Sequence, residues 1–461
     1  VILGERKRLF RDGGTVKVSR SLKELTLPDN ITELDDYAFE CCARLESISL
    51  PHTLKKIGRH CFDGCAVLRS VEIPAGVESI GSSAFYRTSL IDDFAGGCLV
   101  LGKGILIQYK GDDEKVQVPK GVEKIGERAF AYSEQLKSVD IPEGVTEIGE
   151  CAFEYCRSLE KVSLPKSLEK LGDRAFVDCA ALTDAVLPDE VMHIGSDVFY
   201  GTRLLAEHEE KLLVMNGRYL IRYSGSEDEM AVPRGVRVIA DSAFSGSAGV
   251  KRAVLPESIR VIGDGAFRWC GDLSEVKIPS SVEYIGKEAF ISSEGLCAVI
   301  PQSGAAVGEA AFPRGATLCF EGKSGSFKVT LENDLTAPGS HSENALYEFS
   351  QKPDDNSFKA IGEPCYMIPA AMCYADSISS CRDYIRDNIT EVMCYHIDRE
   401  DNEGISRILA FGYLNEEYTQ RCISYAIDQK RLEQQVTLMR FKQQTFGSRD
   451  TDRLADDKFA L

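Results

Sequence analysis

Apolar residues recur along this chain in a fixed register. An Ala-Phe-like pair returns with its aromatic at Phe39, Phe62, Phe85, Phe130, Phe153, Phe176, Phe199, Phe244, Phe267, Phe290 and Phe312. Eight of these ten spacings are 23 or 22 residues, and the other two are 45, which is two units. One unit, read from Leu68, is "LRSVEIPAGVESIGSSAFYRT". Val71 and Ile73 alternate with Glu72, the period-two signature of a half-buried strand. Pro74 has no N–H to donate and ends that strand. Val77 and Ile80 begin a second extended piece, Gly81 permits a bend, and Ala84 and Phe85 point inward from a short helical or 3₁₀ turn. A unit this short cannot bury its own apolar face, so the units must stack into a solenoid.

The two long spacings hold a second element. Residues 99–111 read "LVLGKGILIQYKG" and residues 213–225 read "LVMNGRYLIRYSG". Both have the pattern of a β-hairpin, turning at Gly102-Lys103-Gly104 and Asn216-Gly217-Arg218. They lie 114 residues apart, which is also the distance from Phe85 to Phe199, so a super-unit spanning about 86–199 is repeated over 200–312.

The template L-x-x-V-x-I-P-x-x-V-x-x-I-G-x-x-A-F-x-x-C resembles the BspA-like leucine-rich repeat family over about residues 20–320. The hairpins with "VPKGVEKIG" (118–126) and "VPRGVRVIA" (232–240) look like that family's longer repeat variant. The resemblance implies an α/β repeat solenoid of about 11 units of ~23 residues, and a scaffold for protein–protein or cell-surface binding with no catalytic motif.

The expected organisation is therefore a solenoid over 1–320, with hairpin-bearing units near 86–130 and 200–244. A connector over 321–362, a small α-helical domain over 363–447 and a polar tail over 448–461 follow. In the helical region apolar positions at Ile378, Cys381, Tyr384, Ile385, Ile389, Val392, Met393 and Ile397 step by three and four and predict a helix over 376–398. Further helices are expected over 403–411, 415–428 and 430–445, with Gly412 ending one and Asn415 capping the next. The strings "ISRILAFGYL" and "CISYAIDQKRLEQQVTLMRF" are similar in texture to the helix pair of an ankyrin repeat, without its T-P-L-H-type motif. A helical cap on the solenoid and a second interaction domain both fit.

Of 461 residues 43% are hydrophobic, so a large core is available without disulfides or metal. The net charge of −18 argues against nucleic acid or anionic lipid as partner. No run of about 18 apolar residues is present, so no membrane span is expected. Sixteen cysteines, spread along the chain, read as reduced thiols and favour the cytoplasm. A trimmed signal upstream of Val1 would instead place the protein outside the cell.

The stretch "HTLKKIGRHCFDGC" gathers His52, His60, Cys61 and Cys65, side chains that zinc prefers. In register, Cys61 falls in the Ala column and Cys65 in a column that also holds Cys42, Cys156, Cys179 and Cys270 with Ser and Thr elsewhere. His52 and His60 fall in variable columns. Four separate roles leave no shared ion, and neither metal nor cofactor is expected. No H-E-x-x-H, phosphate-loop or G-x-S-x-G motif occurs. Cys394 and His396 are two positions apart on one helix and point apart, so a Cys-dependent enzyme in the helical region is the weakest of three readings. A non-enzymatic protein-interaction scaffold stands first and a cell-surface adhesin second. No oligomeric state follows from the sequence.

Solenoids bind through exposed columns. Two columns change from polar to largely apolar at the seventh unit. One follows the middle of the first strand and reaches Val186 and Val254. The other precedes the "I-G" isoleucine and reaches His193, Val238, Val261 and Tyr284, with Met192 nearby. If both face solvent they form an apolar ridge, either for a protein partner or covered by the C-terminal region.

Overall fold

The computed structural model describes residues 8–9, 22–208, 210–293, 295–322, 325–335 and 341–447. The polar tail expected over 448–461 lies outside them. The repeats coil into a solenoid of about 13 turns, with a helical region at its C-terminal end.

Each coil gives two short strands. The three-residue strand, such as Ser47–Ser49 or Lys161–Ser163, is exposed, buried and exposed in turn. It lies parallel and in register on its neighbours, so that Val139 sits on Val162. The two-residue strand stacks the same way, Ile125 on Ile148 and Ile148 on Leu171. Register cannot slip, because a shift of one residue would turn the buried column outward.

The Ala-Phe segment forms hydrogen-bonded turns rather than helix. The residues two before and two after each Phe from Phe39 to Phe290 take left-handed backbone, as at His60 (φ 49°) with Gly64 (φ 73°) and Arg174 (φ 54°) with Asp178 (φ 55°). That conformation breaks a helix and aims alternate N–H groups at the next coil: Phe39 N donates to Cys61 O at 2.7 Å and Phe62 N to Ala84 O at 2.7 Å. Among the described solenoid residues only α1 (Ser89–Asp92) and α2 (Arg203–Ala206) are helical.

The Phe side chains form a buried, stacked column. Centroids are 5.2 Å apart for Phe39–Phe62 and 4.8 Å for Phe130–Phe153, with rings within 9° of parallel. In each 45-residue unit a hairpin tyrosine joins the column: Tyr109 lies 5.1 Å from Phe130 and Tyr223 5.1 Å from Phe244. The second hairpin strand also takes a rung, Leu106 pairing with Ile125 and Leu220 with Ile239. The hairpins are therefore coils of their own, which is why turns outnumber the eleven Phe marks. Asn216 (φ 51°) and Gly217 (φ 66°) are both left-handed, as a tight two-residue hairpin turn requires.

The segment 321–362, read as a connector, carries strand and helix. Thr317–Gly322 and Gly325–Thr330 pair antiparallel and close the last sheet. Then come α3 (His341–Gln351), α4 (Asp355–Ala360), α5 (Pro364–Tyr374), α6 (Ser379–Asp387), α7 (Ile389–Asp398), α8 (Asn402–Phe411), α9 (Glu416–Asp428) and α10 (Leu432–Phe446). The helix expected over 376–398 is two, broken at Asn388, whose side chain donates to Tyr384 O at 3.0 Å. Gly412 (φ 71°) ends α8, and Asn415 Oδ1 accepts the Tyr418 N–H at 2.7 Å to cap α9. The helices pack on the last coils: Gln351 Oε1 accepts Gly304 N at 2.7 Å, Tyr347 OH donates to Ala305 O at 2.7 Å, and α5 lies against Gly325–Thr330. No helix among the described residues is long and apolar enough to cross a membrane.

Candidate functional site

The structure divides the apolar ridge. Val186, just after the strand Asp184–Ala185, and Val254, at the end of the strand Arg252–Val254, are 66% and 43% exposed, and His193 is exposed. Met192 and Tyr284 are half-buried. Val238 and Val261 are 1% and 2% exposed, so they are not surface residues as their column suggests. At the second hairpin the strands Val238–Ile239 and His193–Ile194 lie against each other. Asp241 N donates to Ile194 O at 2.8 Å, Ser196 Oγ lies 3.0 Å from Ser242 Oγ, and the His193 ring meets Tyr284 edge-on at 5.7 Å. Among the described residues, a neighbouring coil is what approaches this column. The same positions 114 residues earlier are Lys124, Glu147 and Lys170, which form an outward-facing ion-pair row at 3.3 and 3.0 Å.

The turn edge of the coils presents large aromatics that the sequence columns did not single out. Tyr37, Tyr86, Tyr132, Tyr200 and Trp269 are between 39% and 61% exposed. Tyr132 stacks on Tyr155 at 5.3 Å, and Tyr37 on His60 at 5.2 Å. Arginines lie over the rings: Arg87 over Tyr86 at 5.4 Å, Arg157 over Tyr155 at 5.6 Å and Arg268 over Trp269 at 5.6 Å. Tyr132, Tyr155 and Trp269 occupy the left-handed position two after Phe, which throws the side chain outward at the corner. A signal was present in the sequence: aromatics in a column that elsewhere holds Gly64, Gly201 and Gly246.

Between the first hairpin and the preceding coils this edge opens into a cleft of about 820 Å³, lined among others by Tyr86, Tyr132, His60, Asp63, Glu127 and Arg128. The hydrophobic core is divided here too, the coils up to Phe85 forming a cluster of their own. Asp63 is buried and held by His60 Nδ1 and Arg87 Nη2, each at 2.8 Å. Burial, then the nearby Glu150 charge, raises the Glu127 carboxyl above the usual carboxylate range.

The four residues of the zinc-like stretch go separate ways. His60 binds Asp63, His52 sits 3.5 Å from Asp29 on the surface, and Cys61 is fully buried. Cys65 Sγ donates to Phe39 O at 3.2 Å, as Cys156, Cys179 and Cys270 do to Phe130, Phe153 and Phe244. Where Thr stands in this column, Thr88 and Thr202 donate to Phe85 O and Phe199 O at 2.6 Å. The column therefore selects a small buried donor, which explains its mixture of Cys, Ser and Thr. Every described cysteine is a free thiol. Burial pushes Cys61 well up and Cys270 to about 11, so neither is a thiolate at neutral pH. In the helical region burial likewise pushes Cys394 up to about 11, and His396 turns to Asp401.

The sequence matches the family described as "BspA type Leucine rich repeat region (6 copies)" over residues 17–95, 108–209 and 218–341. Among solved structures it is similar to a leucine-rich repeat protein from Bacteroides ovatus ATCC 8483, at 24% identity over 64% of this chain and 76% of that one, with a TM-score of 0.23. It is also similar to the leucine rich repeat protein of T. pallidum, at 23% identity over 45% and 79% with a TM-score of 0.21. A leucine rich cell surface protein from Faecalibacterium prausnitzii A2-165 is similar at 22% identity over 62% and 79%, with a TM-score of 0.22. No curated protein matches the chain.

Proposed function

The chain belongs to the BspA-type leucine-rich repeat family, and from that premise we propose that it is a non-enzymatic scaffold that binds a protein partner along the exposed columns of its solenoid. Proteins of this repeat family are commonly protein-interaction or surface proteins. The observation that carries the reading is the turn edge: Tyr86, Tyr132, Tyr200 and Trp269 stand exposed, three arginines lying over the edge's rings. Tyr, Trp and Arg dominate binding energy at protein interfaces, Tyr and Trp because they carry large contact area with few rotamers to freeze and Arg through its planar multidentate head. The solvent-facing part of the apolar ridge, Val186 and Val254 with His193 and half-buried Met192 and Tyr284, is a second contact strip in this proposal. Val238 and Val261 act only as its buried support.

Affinity capture from the native cell extract tests this. A protein retained by the wild-type chain is lost from a Tyr132→Ala, Trp269→Ala double variant and kept by a Lys277→Ala control. Equal recovery by all three removes the turn edge from the proposal.

A further inference from the structure

We propose that the groove between the strand Gly325–Thr330 and helices α5, α7 and α8 is a binding site for an extended peptide, which adds to that strand's free edge and donates a hydrogen bond to His396 Nε2. The groove holds about 740 Å³ and is lined by six consecutive residues, Ser326 to Leu331. Successive strand residues point to opposite faces, so a groove that touches all of them runs along the strand's edge. That edge ends its sheet, and among the described residues no further strand pairs with it. Leu331 N donates inward to Ala316 O, and in an antiparallel pair the inward residues alternate. Lys328 and Thr330 therefore aim their N–H and C=O groups at the groove. Pro369 and Met372, on one face of α5, line the groove beside the strand against which that helix packs. Six residues at about 3.4 Å each give roughly 20 Å of edge, a length that a small molecule would leave mostly unused.

His396 supplies the fixed point. It is 5% exposed and lines the groove, yet among the described residues its buried Nε2 has no hydrogen-bond partner. Its Nδ1 lies 2.7 Å from Asp401 Oδ2. A carboxylate there holds the proton on Nδ1, so Nε2 presents a lone pair and asks for a donor. Asp401 is itself fixed, its Oδ1 accepting Gly404 N at 2.9 Å at the start of α8. Gly404 leaves room for the arrangement, since a Cβ there would overlap the His396 ring and the Asp401 carboxylate. Lys328, Arg399 and Arg407 are balanced by Glu332, Asp401 and Glu403, which suits a backbone of neutral amides rather than a polyanion. Burial, with the Glu332 and Glu363 charges, pushes the groove's Cys365 thiol up to about 11, so the site binds rather than attacks. An unpaired strand edge is the surface that strand addition uses.

The full chain is exposed to a pool of randomised octapeptides, and one retained peptide is resynthesised. The expected result is at least tenfold weaker binding to Lys328→Pro, which removes an outward N–H without touching the inner ladder, and to His396→Gln. N-methylation of alternate peptide amides should abolish binding in one register and spare it in the other. On the wild type, the bound peptide should shift the His396 Nε2 nitrogen resonance, a readout that needs no variant to fold. Retention of no peptide above the Lys328→Pro level would overturn the proposal. So would indifference to N-methylation at every position, or free amino acids competing as well as the octapeptide.

Discussion

The Asp241 carboxylate accepts the backbone N–H of Asp264, one coil further on, at 2.7 Å. The same bond recurs from Arg59 N to Asp36, Ser196 N to Asp173 and Lys287 N to Asp264, each at 2.7 Å, so a column of aspartates staples successive coils. At Asp241 the staple is costly. Burial, then the Asp264 charge, pushes its carboxyl up to about 7.

That shift has a definite sign. An unfolded aspartate titrates at about 3.9. Between about pH 4 and pH 7 the folded chain keeps a proton on Asp241 that the unfolded chain has lost, so stability falls as pH rises through that window and is level above it. Asp241→Asn keeps an acceptor for the Asp264 N–H and carries no charge. After discounting for solvent around this half-buried group, it should stabilise the protein at pH 8 by on the order of 2 kcal/mol and leave it unchanged below pH 4. Urea unfolding at the two pH values measures this, and the same difference at both would contradict it.

The left-handed corners give a second test. Arg174 is exposed and held at φ 54°. Left-handed backbone costs an L-residue about 1–2 kcal/mol, and most of all a β-branched one. Arg174→Val should destabilise by about 1–2 kcal/mol, while Arg174→Gly should stay within about 0.5 kcal/mol of wild type or exceed it. If valine and glycine behave alike in thermal unfolding, the corner is not a backbone constraint.

The repeat made most of this fold legible, because a column of Phe, Gly or Pro can be averaged over eleven coils. Relations that break the repeat were hidden. Lys124 and Val238 share one column position, and only the meeting of His193–Ile194 with Val238–Ile239 makes the second a buried residue. The hairpins were visible as hairpins, but Tyr109 and Tyr223 as members of the Phe column were not, since they sit off the 23-residue beat. The exposed aromatics leave an equally faint mark in the sequence. A left-handed backbone leaves its mark as glycine in some coils and is silent in those holding Tyr132, Tyr155 or Trp269. In the helical region no repeat was available, and the pairing of His396 with Asp401 rests on a turn between two helices that side-chain periodicity does not report.

The divided ridge separates stability from binding. Val238 is buried, so Val238→Asp places a charge where no partner waits and should cost on the order of 3 kcal/mol or more. Val186 is exposed, and Val186→Asp should change stability by less than about 0.5 kcal/mol while weakening any partner seated on that strip. Denaturant midpoints for the two variants decide between this and a ridge exposed throughout, which would leave both near wild type.

Gly404→Ala sets two effects against each other. Gly404 lies in the first turn of α8, with no positive φ, and by helix propensity alone alanine there should stabilise by up to about 1 kcal/mol. The added Cβ instead meets the His396 ring and the Asp401 carboxylate, both held by their 2.7 Å bond. Overpacking of this kind costs about 1–3 kcal/mol. The expected outcome is net destabilisation, together with loss of the low-field proton resonance of a His396 Nδ1–H shared with Asp401. Stabilisation with that resonance intact would mean that the ring has room to move, and that Nε2 is not held in place to receive a ligand.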